Sequence, residues 1–354
     1  NGKVTETSEI YCPAALNIGN ATFNNWNKTP EGSINVKRAL ARSCNTWFYQ
    51  VGIDVGPSAF LGLSRRLGFG ERSGLPLIGE SPGLVPSDEW MLKNEKRRIL
   101  NGDTANLSIG QGSLLASPLQ VAQAMAGIAN GGALPKLQLI RQTQDTRGRV
   151  VQAAVPERKT WLGIDQKAVE IVRQGMSDVV NGAGGTGHGA ALSYTTLCGK
   201  TGTAQWGPPV KEQRLAWFAG FLPQDNPRYS FAVLYEGRPG ETVSGGRMAA
   251  PMVRKFFEGI KDDIKDDIAP PKKALIVMPE GVPAPAGEAL PNDPDNATPP
   301  AAIPVEGPLK ALPVERLDAG GETISEGLTE ERPRAIRAIP VGEDEVIEEG
   351  VEEP

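Results

Sequence analysis

The sequence predicts an α+β domain over residues 1–260, followed by a disordered, acidic, Pro-rich tail over 261–354. Three observations carry this. Helical periodicities recur in four segments between residues 34 and 182, three strand-like runs follow in close order, and the composition changes abruptly after residue 260.

The elements can be justified in turn. "INVKRALARSCNTWFYQVG" (34–52) spaces Val36, Ala39, Leu40, Trp47, Phe48 and Val51 as two short helices do, with a turn near Ser43. "PSAFLGLSRRLGFG" (57–70) opens on Pro and closes on Gly, the asymmetry expected of a helix. "PLQVAQAMAGIANGG" (118–132) repeats that signature, and "IDQKAVEIVRQGMSDVVNG" (164–182) is a further amphipathic helix. Then come "TTLCGKTGTAQW", "RLAWFAGFLP" and "YSFAVLYEG", joined by the short connections "GPPVKEQ" and "QDNPR". Such short links favour antiparallel neighbours. "APMVRKFFEGI" (250–260) closes the domain as a helix. Helices first, then a small antiparallel sheet and a helix: the pattern is α+β and not doubly wound.

Charge divides the chain at the same place. Residues 1–260 hold 28 Lys and Arg against 20 Asp and Glu, a surplus of 8. Residues 261–354 hold 9 against 22, a deficit of 13, and together these give the net charge of -5. The tail also has 15 of the 30 prolines and no Phe, Trp or Tyr. It has too little apolar surface to offset its ordering entropy, so "KDDIKDDIAPP" reads as the end of the folded part. The body's positive excess, without interleaved aromatics, argues against nucleic acid as a partner. Cys12, Cys44 and Cys198 are too few and scattered for a disulfide framework or zinc site, and leave the redox compartment open. No stretch approaches the ~18 apolar residues that cross a bilayer.

"LCGKTGTAQW" (197–206) poses the functional question. A phosphate-binding P-loop would need Gly at position 194, which is Tyr194, and a helix after Thr201, where "GTAQWGPP" follows. Gly182–Gly187 matches G-x-G-x-x-G but follows a helix instead of a strand, and reads as a flexible loop. His188 lies in the same loop and is read as no part of a Ser-His-Asp triad.

The alternative is an acyl-transfer site. K-T-G-[ST] on a strand occurs by chance in only about one in a hundred chains of this length. Gly202 leaves the strand bare for a substrate backbone, Lys200 supplies positive charge, and the Thr201 and Thr203 hydroxyls can hold a carboxylate. K-T-G recurs with S-x-x-K and an S-x-N or S-D-N element in serine acyl-transfer enzymes. Two S-x-N matches exist. Ser33-Ile34-Asn35 lies in a polar turn where Ser33 suits an N-cap; Ser43-Cys44-Asn45 lies between apolar helices and is the better candidate. Cys44, its middle residue, reads as a packed thiol.

These residues resemble a known family. "ALARSCNTWFYQVG", "GESPGLVPSDEW", "NGDTANLSIGQGSLLASPLQVAQAMAGIANGG" and "GKTGTAQW" look like the transpeptidase domain of penicillin-binding proteins, which shares its fold with serine β-lactamases. "GLVPSDEW" with "GDTANLSIGQG" most resembles the class B, elongation-type members. The resemblance covers residues 1 to about 260, with S-x-N and K-T-G some 155 residues apart, in the family's order.

The resemblance implies a D,D-transpeptidase that cross-links peptidoglycan stem peptides ending in D-Ala-D-Ala and is acylated by β-lactams. Carried over to this chain, Ser43 would relay protons and Asn45 hold the donor amide. Lys200 would tune the electrostatics, Thr201 and Thr203 would bind the terminal carboxylate, and the Thr203 N–H would be an oxyanion donor. It implies no cofactor or metal. A membrane glycosyltransferase and elongation-complex proteins would be its partners, at the periplasmic face of the inner membrane, with an N-terminal anchor absent from this chain.

One departure matters. No serine here has Lys three places on, so the family's S-x-x-K is missing. Counting back from Ser43 runs off the N-terminus, which predicts that the nucleophile lies upstream and that this portion, N-terminally incomplete, is inactive alone. A carboxypeptidase or β-lactamase-type hydrolase, and a non-catalytic sensor or scaffold of the elongation machinery, stay open beside the transpeptidase.

Overall fold

A computed structural model describes residues 2–207 and 213–269, so the predicted tail beyond 269 lies outside the described residues. The chain opens with four short strands: β1 (Ile10–Cys12), β2 (Ala15–Ile18), β3 (Ala21–Asn24) and β4 (Gly32–Ile34). The β2–β3 hairpin is nested in sequence within the antiparallel β1–β4 pair. None was foreseen, because runs of three or four residues are too short to show alternation.

α1 (Val36–Arg42) starts under Asn35, whose Oδ1 accepts from Arg38 N–H at 3.0 Å. Asn35, not Ser33, is therefore the cap; Ser33 lies in β4 opposite Tyr11. α1 ends where Ser43 turns left-handed, at φ 53° and ψ 44°. Ser43 N–H reaches Leu40 O at 3.1 Å and Cys44 N–H reaches Ala39 O at 3.0 Å, which satisfies the last carbonyls of the helix. Glycine usually takes this position, since a side chain there costs roughly 1–2 kcal/mol. α2 (Asn45–Val55) begins at once. Its N-cap, Cys44, offers no side-chain bond; Asn25, buried, accepts Asn45 N–H through Oδ1 at 3.0 Å instead.

α3 (Pro57–Arg66) opens on proline as predicted. α4 (Asp88–Asn94) and α5 (Asn101–Ser108) follow. α6 (Pro118–Ala129) is fixed by a capping box: Gln120 N–H donates to Ser117 Oγ at 3.2 Å and Ser117 N–H to Gln120 Oε1 at 2.9 Å. Four small strands, β5 (Ala133–Pro135), β6 (Gln142–Gln144), β7 (Val150–Ala153) and β8 (Arg158–Trp161), pair as β5–β8 and β6–β7. α7 (Gln166–Asn181) then leads to the three long strands, β9 (Cys198–Trp206), β10 (Gln213–Leu222) and β11 (Tyr229–Glu236). They form one antiparallel sheet in the order β11-β10-β9, as the short connections require.

The pleat of β9 sends successive side chains to opposite faces. Cys198, Lys200 and Gly202 face the helices, where Cys198 and Phe221 pack with Met125, Ala129, Val172 and Met176 of α6 and α7. Gly199, Thr201 and Thr203 face the other way. There the ring of Phe218 lies so close that a Cβ on Gly199 would come within 2.4 Å of it. α8 (Ala249–Gly259) covers this face through Phe257, 5.6 Å from the ring of Phe231.

The helical body does not stop at 260, where the sequence places the start of the tail. α9 (Lys261–Ile268) continues it for one short element. Ile264, the lone apolar residue of "KDDIKDD", is 2 % exposed, and Tyr229 donates to Asp267. All of these elements belong to one unit, Asn1–Pro76 with Glu80–Ala311; a second comprises Leu77–Gly79 and Leu312–Pro354, described only in its first three residues.

Two consequences can be measured by urea unfolding. Gly199→Ala should cost roughly 1–3 kcal/mol, because the added methyl overpacks against Phe218, and Phe218→Leu should recover part of the loss. At position 43, Gly should leave the chain more stable than Ala by roughly 1 kcal/mol, since both lose the hydroxyl but only Gly relieves the left-handed backbone.

Candidate active site

α1 packs along α7 and α7 along β9, which delivers the end of α1 to the K-T-G strand. Lys200 Nζ donates to Ser43 Oγ at 2.7 Å and to Thr201 O at 2.8 Å, joining residues 157 apart. The lysine as a residue is only half-buried, but its ammonium is enclosed. Burial lowers its pKa from 10.5 to about 8. Desolvation penalises the charged form, and no carboxylate contributes to offset it.

The other predicted residues divide. Thr201 Oγ1 lies 2.7 Å from Thr186 Oγ1, and Gly245 N–H points at Thr203 Oγ1 from 3.4 Å. Both hydroxyls therefore share the β9 face opposite Lys200. Among the described residues outside its chain neighbours, Gly202 is met at its Cβ position within 4 Å by Trp217 Cβ alone, at 3.3 Å. Asn45 sits beside Ser43, but its Nδ2 points at Asn24 O from 3.5 Å and makes no bond to Lys200 or Ser43.

Four contributors were not singled out from sequence. Gln111, in "SIGQG", donates through Nε2 to Thr203 O at 3.0 Å. That carbonyl therefore points away from β10. Because the N–H and C=O of a strand residue project toward the same edge, Thr203 N–H also faces the open side of β9. Among the described residues no strand pairs with that side. Thr186 buttresses Thr201 from the Gly-rich loop, Gly245 packs over the backbone of Gly202, where a Cβ would fall 2.6 Å from its carbonyl, and Asn25 caps the helix that carries Asn45.

The Gly-rich loop, expected to be flexible, is tied at several points. Arg38 Nη1 donates to Ala183 O at 2.6 Å, Arg42 Nη1 to Gly184 O at 2.9 Å, and Thr186 N–H to Ala41 O at 3.2 Å. Arg42 is itself held by Glu31 through two bonds of 2.8 and 2.9 Å, which draw the Glu31 pKa below its usual value. Composition within the loop cannot reveal anchors supplied by α1. His188 Nδ1 lies 2.8 Å from Val180 O, in a structural contact. Cys44 is fully buried, as expected of a packed thiol. Among the described residues no group of three or more His, Cys, Asp or Glu is placed to hold a metal ion.

Chemically, the arrangement offers an ammonium bonded to a hydroxyl, a second pair of hydroxyls, and an open strand edge with an outward N–H. It can bind an extended, anionic peptide end and pass a proton between Lys200 and Ser43.

The chain is 35% identical over 243 residues to the peptidoglycan D,D-transpeptidase MrdA of Acinetobacter baumannii, covering 65% of this chain and 35% of that protein. Among solved structures it resembles the penicillin-binding protein PBP2 of Helicobacter pylori, determined in complex with MreC, with a TM-score of 0.62 at 30% identity over 74% of this chain and 46% of that one. PBP2 of Pseudomonas aeruginosa, in complex with WCK 5153, gives 0.60 at 33% identity over 73% of this chain and 54% of that one. The chain thus spans between a third and about half of the length of these relatives. The family model described as the penicillin binding protein transpeptidase domain matches residues 1–258, and the chain belongs to that family.

Proposed function

We propose that this chain forms the proton-relay and carboxylate-binding side of a serine D,D-transpeptidase site that cross-links peptidoglycan stem peptides. The observation that carries this is the Lys200–Ser43 bond beside the open edge of β9. An extended peptide ending in D-Ala-D-Ala would add to that edge, its carboxylate taken by Thr201 and Thr203 and its amide by Asn45. The two hydroxyls of Thr186 and Thr201 lie 2.7 Å apart, so donation by Thr186 would leave the Thr201 proton for the carboxylate.

In the reaction a serine Oγ attacks the penultimate D-Ala carbonyl and yields its proton to a lysine base. The oxyanion would be held by Thr203 N–H, a type of contact worth roughly 3 kcal/mol of barrier. Ser43, with Lys200 behind it, hands a proton to the departing D-Ala nitrogen. An amine of a second stem peptide then attacks the acyl-enzyme and regenerates the serine. The attacking serine and its base come, in this proposal, from outside these 354 residues, since no serine here is followed by Lys three places on. β-Lactams would enter as donor mimics.

MreC, bound to the Helicobacter pylori relative, supports elongation-complex partners for the whole protein; a membrane glycosyltransferase and the periplasmic face of the inner membrane complete the proposal. Among the described residues no helix is long and apolar enough to cross a membrane.

Fluorescent penicillin tests the proposal. The chain alone should take no label; joined to an upstream segment carrying S-x-x-K it should take a covalent, denaturation-resistant one. A folded, extended protein that stays unlabelled overturns the catalytic reading in favour of a scaffold. Release of D-Ala without cross-links would instead identify a hydrolase.

Labelling of the extended protein should also fall as pH rises through about 8, where Lys200 loses its proton and the carboxylate loses its countercharge. Lys200→Met should abolish that limb. Stability should run the opposite way. Between pH 8 and 10.5 the unfolded chain binds a proton that the folded chain has released, so folding gains with rising pH, and Lys200→Met should remove this gain.

A further inference from the structure

Cys12 closes β1 and Cys44 stands at the start of α2, with 31 residues between them. Both are 0 % exposed and share one core cluster with Ile34, Ala39 and Trp47. Thr46 brings their surroundings together. Its Oγ1 donates to Pro13 O, next to Cys12, at 2.9 Å and lies 3.5 Å from Cys44 Sγ. Cys12 Sγ also donates to Ile10 O at 3.3 Å, while Asn25 Nδ2 approaches Cys44 Sγ at 3.8 Å. Burial, with Cys44 as a neighbour, pushes the Cys12 thiol up to about 12. The third cysteine is elsewhere. Cys198 lies beneath the sheet beside Arg173 O, in a different cluster.

We propose that Cys12 and Cys44 are a disulfide pair, whose oxidation ties β1 to the start of α2 beside Ser43. The oxidant is a disulfide-bearing thiol oxidase or a small disulfide such as oxidised glutathione. One cysteine thiolate attacks a sulfur of the oxidant's disulfide, expelling one thiol and leaving a mixed disulfide. The second thiolate then attacks the protein sulfur and expels the other thiol. Two electrons and two protons pass from the chain to the oxidant, which leaves as two thiols.

In the folded chain both sulfurs are shut away from solvent and Cys12 is held as a thiol, so attack there is slow. The bond therefore forms during folding, before the cluster closes. Its effect on the site is positional. Ser43 is held between α1 and Cys44 in a backbone conformation that a side chain disfavours, and a covalent tie at residue 44 opposes its relaxation. The extracytoplasmic location proposed above is where such oxidants act, but the pairing rests on the geometry alone.

The 354-residue chain provides the test. It is refolded from denaturant with oxidised glutathione or with dithiothreitol, then denatured and alkylated. Oxidative refolding should leave one reactive thiol, Cys198, instead of three, a mass about 2 Da lower, and a linked peptide pair containing Cys12 and Cys44. Cys198→Ser should keep the link and Cys12→Ser should lose it. Reduction of the oxidised, folded chain should lower Tm by roughly 5 °C or more. Three reactive thiols after oxidative refolding, a link involving Cys198, or stable glutathione adducts on both cysteines would overturn the pairing. A Cys12–Cys44 link without a rise in Tm would overturn its role as a native tie.

Discussion

An enclosed ammonium must have acceptors, and this requirement organises the molecule around Lys200. Two of its three N–H groups are used among the described residues, on Thr201 O and Ser43 Oγ. The first is local to the strand. The second demands that α1 stop where it does, that its last residue turn left-handed, and that α1 lie on α7 while α7 lies on β9. A serine in place of the usual glycine at that turn is intelligible only through this bond: glycine would suit the backbone better but would bring no hydroxyl to the lysine.

The strand divides the labour between its two faces and its edge. The face carrying Lys200 is backed by α6 and α7, which pack on Cys198 and Phe221. The face carrying Thr201 and Thr203 is backed by Thr186 and by Gly245, whose lack of a side chain allows it to lie on the backbone of Gly202. The edge is oriented by Gln111, which occupies Thr203 O and leaves the N–H beside it directed outward. A site assembled this way is rigid on three sides and open on the fourth, the geometry suited to adding an extended peptide.

Much of this was legible in the sequence, where the signal was periodic or rare. α3, α6, α7, α8 and the three long strands declare themselves by spacing and by their Pro and Gly boundaries. Lys200–Thr203 and Ser43–Asn45 stand out because their residue combination is improbable. What escaped acts at a distance or through the backbone. Gln111 contributes by a bond to a carbonyl 92 residues away, and Thr186 by its contact with Thr201. The glycine-rich loop looks loose from its own composition, yet its order comes from two arginines on α1. α9 was misplaced into the tail because its charge density hides Ile264, a single side chain that finds a buried position.

The lowered pKa of Lys200 reconciles two demands that would conflict for an ordinary lysine. At neutral pH, with a value of about 8, the group is still protonated by about tenfold, so it carries the positive charge that the proposed peptide carboxylate would require. Its proton is nonetheless held far less tightly than at 10.5, which brings the group close to the range in which a side chain exchanges protons efficiently. Burial alone accomplishes this. A carboxylate placed against the ammonium would have raised the pKa again and competed for the carboxylate of the ligand. The acceptors found among the described residues, a hydroxyl and a peptide carbonyl, are both neutral, which leaves the charge for the proposed ligand to compensate.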